Sequence, residues 1–191
     1  KTGAEYKRLE MAADRYFEVQ INTARKLAEL SMGGPNPNRR SSDLRQPTFL
    51  VGFPRSGTTL LDTILRTHSN LNVVEEQPML QKMRSALGGL EDVSAIEVLD
   101  ENDLRLASNA YLEELERHTD WAGESLVIDK LPLNLLKAPL IHQVFPEAKF
   151  ILALRHPLDC ILSCWMQTFE LNPAMANMVD LDRIVDFYCV S

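Results

Sequence analysis

A short run of small, hydroxyl-bearing and cationic residues in the first third of the chain could hold an anion. Gly52 and Gly57 enclose four residues, which include Arg55 and Ser56, and Thr58 follows directly. Hydroxyl groups donate hydrogen bonds to an oxyanion, and the planar guanidinium of an arginine can contact phosphate or sulfonate at two points. These residue types at this spacing predict an anion cradle.

The elements on either side of this run favour the same function. Residues 48–52 are almost wholly apolar, as expected of a strand buried in a parallel sheet, and a helix is predicted over 58–67. A strand that turns into a helix at a glycine presents unpaired backbone N–H groups and the positive end of the helix dipole to an anion. The glycines have the spacing of a nucleotide-binding phosphate loop, with Thr58 and Thr59 in the places of its Lys and Ser/Thr. The alternative is a helix that is merely capped by serine and threonine.

Short apolar runs and helical patterns alternate along the rest of the chain. Further strands are predicted over 72–74, 125–128 and 149–154, and a helix capped by Asp100 is predicted over 102–117. Strands that alternate with helices indicate an α/β fold with a parallel sheet and flanking helices.

The N-terminal part has a different pattern from the rest. Between residues 5 and 30 apolar side chains recur at spacings of three and four, which predicts one long amphipathic helix. Turn-forming residues follow over 31–42 and indicate a linker. We therefore expect residues 1–46 to form a helix and linker, and residues 47–191 to form the main domain. The predicted apolar face of the helix consists of Ala13, Phe17, Ile21, Ala24 and Ala28.

The composition excludes several classes of protein. The 191 residues are 45% hydrophobic and 25% charged, which is typical of a soluble globular chain and not of a disordered or fibrous one. A formal net charge of -7 gives no electrostatic footprint for nucleic acid, and no apolar run approaches the roughly 20 residues of a membrane-spanning helix. Three cysteines, an odd number, argue against a disulfide framework and favour the cytoplasm.

A second candidate anion site follows the strand predicted over 149–154. Arg155 stands at the end of this strand, and Ser163 lies on the helix predicted to begin near Pro157. If that helix packs back against the first loop, Arg155 and Ser163 could both contact one phosphate. Two such sites predict a nucleotide with two charged groups. The alternative for Arg155 is an ion pair with Asp159, one helical turn further on.

The two motifs together resemble those of the sulfotransferases that use 3′-phosphoadenosine 5′-phosphosulfate (PAPS). Residues 55–59 (Arg55, Ser56, Gly57, Thr58 and Thr59) are similar to the family's 5′-phosphosulfate loop, and Arg155 with Ser163 is similar to its 3′-phosphate site. Over residues 47–191 the likeness is nearest to the branch that contains the protein-tyrosine sulfotransferases and the bacterial enzymes linked to tetratricopeptide repeats. The resemblance implies a P-loop α/β fold, PAPS as donor, 3′-phosphoadenosine 5′-phosphate (PAP) as product and no metal. It also implies that the family's last strand and helices lie beyond Ser191 and that repeats precede this chain.

The same resemblance implies which residues carry out the reaction. In this branch a Glu-Glu pair carries the general base, which corresponds to Glu75 and Glu76, and the second of the pair is the expected base. A catalytic lysine that follows a later strand corresponds to Lys130. In this role Lys130, with Arg55 assisting, would stabilise the charge that grows on the departing oxygen. The acceptor is expected to be a hydroxyl on a glycan, lipid, small phenol or peptide.

Two other functions remain possible for the same loop. A kinase or nucleotidase would need magnesium and ATP; the loop lacks the lysine of such enzymes, and Asp129 is the sole strand-end candidate for a magnesium ligand. A non-catalytic nucleotide-binding fragment would bind the donor without transfer.

Within the resemblance, Gln77 and Pro78 stand where the tyrosine-sulfating enzymes have Thr and Arg, which disfavours peptidyl tyrosine as acceptor.

Overall fold

The computed structural model describes residues 3–30, 46–89, 99–121, 125–170 and 172–191, and within the first of these ranges it describes the side chains of residues 4–23. The four strands of the described residues are β1 (Thr48–Gly52), β2 (Leu71–Glu75), β3 (Leu126–Lys130) and β4 (Lys149–Ala153). The helices are α1 (Gly3–Leu30), α2 (Thr58–Leu65), α3 (Met79–Ala86), α4 (Glu101–Glu116), α5 (Ala138–Val144), α6 (Pro157–Trp165) and α7 (Leu181–Val190). Two 3₁₀ helices span Pro132–Lys137 and Met175–Met178.

The strands form one parallel sheet in the order β2-β3-β1-β4. In its register Lys130 lies beside both Leu50 and Glu75, and Gly52 lies beside Ala153. Because parallel strands run in the same direction, their carboxyl ends meet at one edge of the sheet, which is where ligands bind in open α/β sheets. The α/β fold with a parallel sheet and flanking helices is confirmed.

Side chains of β1 alternate between two cores on opposite faces of the sheet. Phe49 and Val51 belong to the larger core, which contains Tyr111 of α4. Leu50 points to the opposite face and packs with Val73 and Ile128. This period of two follows from the pleat of a strand. Since helix α2 contributes its Leu61 and Leu65 to the second cluster, α2 covers the face of the sheet to which Leu50 points.

The predicted element boundaries agree with the structure to within a few residues. The helix predicted over 58–67 ends at Leu65, where Thr67 turns back to donate its backbone N–H to the Ile64 oxygen at 3.1 Å. Asp100 caps α4 as predicted, because its carboxylate accepts from the backbone N–H groups of Asn102 and Asp103. The predicted linker over 31–42 lies outside the described residues.

The N-terminal helix packs against the last helix of the chain. The ring centroids of Tyr16 and Phe17 lie 6.1 and 6.5 Å from that of Phe187 on α7. The predicted apolar face is partly wrong, since the polar residues Gln20 and Thr23 take buried positions. Both side chains donate to helix carbonyls one turn back, which satisfies their donors inside the core. The side chains of Ala24 and Ala28, also predicted on this face, lie outside the described residues.

Candidate active site

The loop after β1 is a tight turn that requires glycine at two positions. A Cβ atom on Gly52 would lie 2.6 Å from Ser56 Oγ and 2.8 Å from the backbone oxygen of Ala153, so a larger residue would displace the neighbouring strand or the loop. Gly57 has φ 99°, and Arg55 has φ 69°. Both lie in the left-handed region, which glycine adopts without strain and which an arginine adopts at some cost.

Polar groups in this loop are left available for an oxyanion. Gly57 precedes α2 and no side chain caps the helix among the described residues, so the alternative of a merely serine- or threonine-capped helix is wrong. The Ser56 hydroxyl is buried and has no hydrogen-bond partner within the part of the chain that the structure describes. A buried, unpaired hydroxyl is unfavourable unless a ligand or water satisfies it. The loop therefore fits the anion cradle predicted from its sequence.

The second motif lies against this loop. Arg55 Nε donates to Ser163 Oγ at 3.0 Å, and Arg155 Nη1 donates to the backbone oxygen of Arg55 at 3.2 Å. Helix α6 is held there by Cys164, whose thiol contacts the backbone oxygen of Pro54 at 3.4 Å. Residues 108 positions apart in sequence thus meet at one place.

The predicted alternative for Arg155, an ion pair with Asp159, is also present. Arg155 Nε lies 3.6 Å from Asp159 Oδ2, and both side chains are about half exposed. An exposed pair of this kind contributes ~0–1 kcal/mol to stability. A phosphate group could therefore compete for Arg155 without a large loss of folding free energy.

Three charged side chains meet at the neighbouring strand ends. Lys130 Nζ donates to Glu75 Oε1 at 2.7 Å and to Glu76 Oε1 at 2.9 Å. Successive residues of a strand normally point to opposite faces. Glu76 breaks this alternation, because its φ of 51° turns the chain while its backbone N–H donates to the Lys130 oxygen at 2.8 Å. The turn brings both carboxylates to one ammonium group.

Burial and pairing oppose each other at this cluster. The Lys130 side chain has no exposed surface, whereas those of Glu75 and Glu76 are 45% and 55% exposed. Burial by itself lowers the pKa of Lys130, but the hydrogen bonds to the two carboxylates outweigh it and the pKa is raised. The hydrogen bond from Lys130 lowers the pKa of Glu75. Lys130 is thus held as a cation and Glu75 as an anion.

The charged cluster of Lys130, Glu75 and Glu76 lies close to the loop of residues 52–57, the anion loop. Lys130 is level with Leu50, two residues before the loop begins at Gly52. With ~3.3 Å per residue along a strand and ~4.8 Å between strands, the Cα atoms of Lys130 and Gly52 are about 8 Å apart. The cluster therefore lies within the length of one small ligand from the loop, and Glu75 and Glu76 are its exposed members.

The candidate magnesium ligand Asp129 lies on the other face of the sheet. It is level with Phe49, and Tyr111 Oη donates to its Oδ2 at 2.8 Å. Burial raises the pKa of Asp129 to about 7, and the hydrogen bond from Tyr111 opposes that shift. Asp129 is therefore wrong as a ligand at the loop, because strand alternation turns it away from Lys130. Within the described ranges, no three His, Cys, Asp or Glu side chains are grouped to hold a metal ion.

Comparison with known proteins identifies the family of the chain. A sequence model described as "Sulfotransferase family" matches residues 47–188. The chain belongs to the sulfotransferase family. Among its relatives are an uncharacterized protein of Aquifex aeolicus (34% identical over 137 residues), the nodulation protein NoeE of Sinorhizobium fredii (32% over 131 residues) and protein-tyrosine sulfotransferase 1 of Danio rerio (32% over 123 residues).

The alignments cover much of this chain and a smaller part of each relative. They include 68%, 63% and 56% of the chain, in the same order, but 18%, 31% and 32% of the relatives. The chain thus spans less than a third of the length of these relatives. In the described part of the chain, no helix is both long enough and apolar enough to cross a membrane.

Apart from Asp129, the site residues that the sequence predicted lie at or beside the carboxyl edge of the sheet. The structure brings Arg55 to Arg155 and Ser163, and Lys130 to Glu76, while Thr58 and Thr59 begin α2. Sequence reasoning missed an ion pair between Asp62 and Arg66 beside the charged cluster. The signal was present, since two opposite charges four residues apart on a predicted helix form such pairs.

Proposed function

We propose that the protein transfers a sulfonyl group from PAPS to a hydroxyl group of an acceptor. The observation that carries this proposal is the 3.0 Å contact between Arg55 Nε of the first loop and Ser163 Oγ of the second motif. It supports one ligand that carries both a 5′-phosphosulfate and a 3′-phosphate. Membership of the sulfotransferase family supports the same type of reaction.

The loop and the second motif divide the donor between them. The residues that hold the phosphosulfate are Arg55, Ser56, Gly57, Thr58 and Thr59, through hydroxyl groups, the guanidinium and the start of α2. Arg155 and Ser163 hold the 3′-phosphate. The buried hydroxyl of Ser56, which lacks a partner among the described residues, and the close fit at Gly52 support this assignment.

Glu76 acts as the general base of the transfer. Its side chain is half exposed, so an acceptor hydroxyl can approach it, and its carboxylate takes the proton as the acceptor oxygen bonds to sulfur. The bound donor supplies the SO₃ group. Lys130 and Arg55 stabilise the negative charge that develops on the phosphate oxygen as the sulfur–oxygen bond breaks, and one such donor is typically worth ~3 kcal/mol.

The acceptor class remains broad in this proposal. One relative is by name a protein-tyrosine sulfotransferase, but Gln77 and Pro78 follow the glutamate pair here, and Gln77 bonds back to the Glu75 oxygen at 3.1 Å. Pro78, which stands in the place of the arginine, has no charge to offer an acidic peptide. A hydroxyl on a glycan, lipid or small phenol therefore suits this chain better than peptidyl tyrosine.

Calorimetric titration with PAP tests the proposal. We expect PAP to bind without metal and more tightly than ATP with magnesium, and we expect Ser163→Ala to weaken PAP binding about tenfold, since it removes a hydroxyl that donates to a charged group. Ser85→Ala is the matched control, because Ser85 lies on α3 and its hydroxyl donates to the Gln81 oxygen of the same helix.

Each other outcome points to a different function. Tighter binding of ATP with magnesium would support a phosphoryl transferase and contradict the proposal. Binding of PAP without transfer to any hydroxyl in a broad panel of acceptors would indicate a non-catalytic nucleotide-binding fragment. An equal loss of PAP affinity in Ser85→Ala and Ser163→Ala would remove Ser163 from the site.

A further inference from the structure

We propose that Arg66, anchored by Asp62, is a positioning residue that keeps Glu75 as the permanent counter-ion of Lys130 and so leaves Glu76 to accept the proton. The inference rests on the proposed function, because it assigns different roles to two adjacent carboxylates of that site. It depends on an ion-pair chain that leads from helix α2 to the charged cluster.

The first link of this chain is a two-point contact on α2. Arg66 Nε donates to Asp62 Oδ1 at 2.5 Å, and Arg66 Nη2 donates to Asp62 Oδ2 at 3.3 Å. Asp62 is buried, whereas the Arg66 side chain is 44% exposed. A buried carboxylate that meets a guanidinium fork fixes the orientation of the arginine. The hydrogen bond to Asp62 raises the pKa of Arg66, which stays charged.

The second link joins Arg66 to the cluster. Arg66 Nη2 lies 3.7 Å from Glu75 Oε2, while the other oxygen of Glu75 accepts from Lys130 at 2.7 Å. Each oxygen of Glu75 thus faces its own cation. The hydrogen bond from Lys130, together with the charges of Lys130 and Arg66, lowers the pKa of Glu75 and makes it a poor base.

Glu76 has fewer cationic partners than Glu75 among the described residues. Among the described residues its single cationic partner is Lys130, which contacts Oε1 at 2.9 Å. The group of five side chains contains three carboxylates and two cations, so one proton would make it neutral. Asp62 and Glu75 are each paired through both oxygens, and Glu76 is the carboxylate that is left to take that proton. We infer that Arg66 is what makes the two glutamates unequal.

The position of α2 gives this pairing a second consequence. The helix begins at the anion loop and ends beside Arg66, so the same element that holds the donor also orients Glu75. Its eight residues span about 12 Å. Helix α2 therefore lies between the loop and the contact of Arg66 with Glu75.

Carbon-detected NMR titration of the glutamate carboxyl groups tests the inference. Wild type is compared with the double variant Asp62→Asn/Arg66→Met, which removes the arginine without leaving a buried carboxylate unpaired. We expect the titration midpoint of Glu75 to rise, because the variant removes one of its two cationic partners. Arg66→Lys, which keeps the cation, should restore most of the wild-type midpoint.

A matched control separates this role from general stability. Glu114→Gln/Arg117→Met removes an ion pair of the same kind on α4, where Arg117 Nη1 lies 2.8 Å from Glu114 Oε2. It should leave both midpoints as in wild type. If the titration curves of Glu75 and Glu76 in the Asp62/Arg66 variant overlay those of wild type while the amide spectrum stays native, the inference is wrong.

Binding of PAP separates this inference from the proposed function. The Asp62/Arg66 variant changes no residue of the nucleotide site, so its PAP affinity should stay within about twofold of wild type. If wild type fails to bind PAP, the proposed function fails, whereas the titration still decides whether Arg66 makes the two glutamates unequal. If only the variant fails to bind, Arg66 supports the loop and not the division of roles, which also overturns the inference.

Discussion

At the scale of single residues, the site depends on what Lys130 touches. A fully buried ammonium group is unfavourable unless carboxylates compensate it, and Glu75 and Glu76 do so at 2.7 and 2.9 Å. The positive φ of Glu76 makes the double contact possible. In the proposed reaction this cluster would supply a base for the incoming hydroxyl and a cation for the departing oxygen.

The base assignment predicts a loss of rate without a loss of donor binding. Glu76→Gln keeps the size of the side chain and removes its ability to take a proton, so transfer from labelled PAPS should fall about 10²- to 10⁴-fold. PAP affinity by calorimetry should change less than threefold. Glu116→Gln at the end of α4 serves as the control and should transfer at the wild-type rate. Retention of full activity in Glu76→Gln would refute the assignment.

Asp129 predicts a dependence of stability on pH. Its folded pKa of about 7 lies above the ordinary value of 3.8, so the folded protein holds this proton more tightly than the unfolded chain does. The stabilisation is complete below about pH 4 and is lost as the pH rises to about 7, which amounts to on the order of 4 kcal/mol by linkage. Asp129→Asn should remove this loss.

Urea unfolding of wild type and Asp129→Asn between pH 4 and pH 8 checks that prediction. The free energy of unfolding of the variant should increase relative to that of wild type as the pH rises, because the amide that replaces the carboxyl still accepts from Tyr111 and cannot ionise. Parallel curves at all pH values would show that the Asp129 carboxyl does not titrate in this range.

At the scale of elements, the turn from β1 to α2 sets the shape of the anion site. Gly52 allows Ser56 and the end of β4 to approach closely, and Gly57 starts the helix in a left-handed conformation. Ser163 of helix α6 then contacts Arg55 of this turn. The sheet order brings β1 and β4 together and thereby sets the two motifs side by side.

Two glycines with similar backbone geometry separate strain from function. Gly57 and Gly88 both have positive φ, and no atom of the described residues lies within 4 Å of where a Cβ would stand. Each change to alanine should lower the free energy of unfolding by about 1–2 kcal/mol. Only Gly57→Ala should also weaken PAP binding, by about tenfold or more. Similar PAP affinities in the two variants would mean that the loop conformation does not matter for the donor.

Local sequence patterns predicted these elements well because the physics that forms them is local. The apolar run of β1 and the cap at Asp100 depend on a few neighbouring residues. The direction of Asp129 could also have been predicted, since assigning Lys130 to the site sends its neighbour to the opposite face. The turn at Glu76 could not have been predicted from local sequence. A non-glycine residue adopts positive φ when the surrounding structure imposes it, and here the contact comes from Lys130 on β3.

At the scale of the whole molecule, a third core, built around Phe187, connects the N-terminal helix to the loop after β1. Phe187 of α7 packs against Tyr16 and Phe17 of α1 and against Phe53 of the loop, with a centroid distance of 5.9 Å to Phe53. Asn177 adds a hydrogen bond from its side chain to the backbone oxygen of Ala13. Helix α1 therefore packs on α7, which in turn contacts the loop through Phe53.

This connection predicts that a mutation in the core around Phe187 lowers both the free energy of unfolding and the affinity for PAP. A mutation in the larger core, which contains Phe145, should lower the free energy of unfolding alone. Phe187→Leu and Phe145→Leu should each lower the free energy of unfolding by about 1–2 kcal/mol, since both rings are fully buried. PAP affinity, measured where both variants are folded, should fall severalfold in Phe187→Leu alone. Equal PAP affinities would show that the core around Phe187 does not support the loop.

The most direct test of the account compares PAP with adenosine 5′-monophosphate, which lacks the 3′-phosphate, on wild type and Arg155→Ala by calorimetry. If the two motifs form one site, wild type binds PAP about 10- to 100-fold more tightly, as expected for charge-assisted hydrogen bonds to one phosphate. Arg155→Ala should lose most of that advantage and keep its affinity for the monophosphate. Equal binding of the two nucleotides by wild type, or an undiminished preference for PAP in Arg155→Ala, would contradict the account.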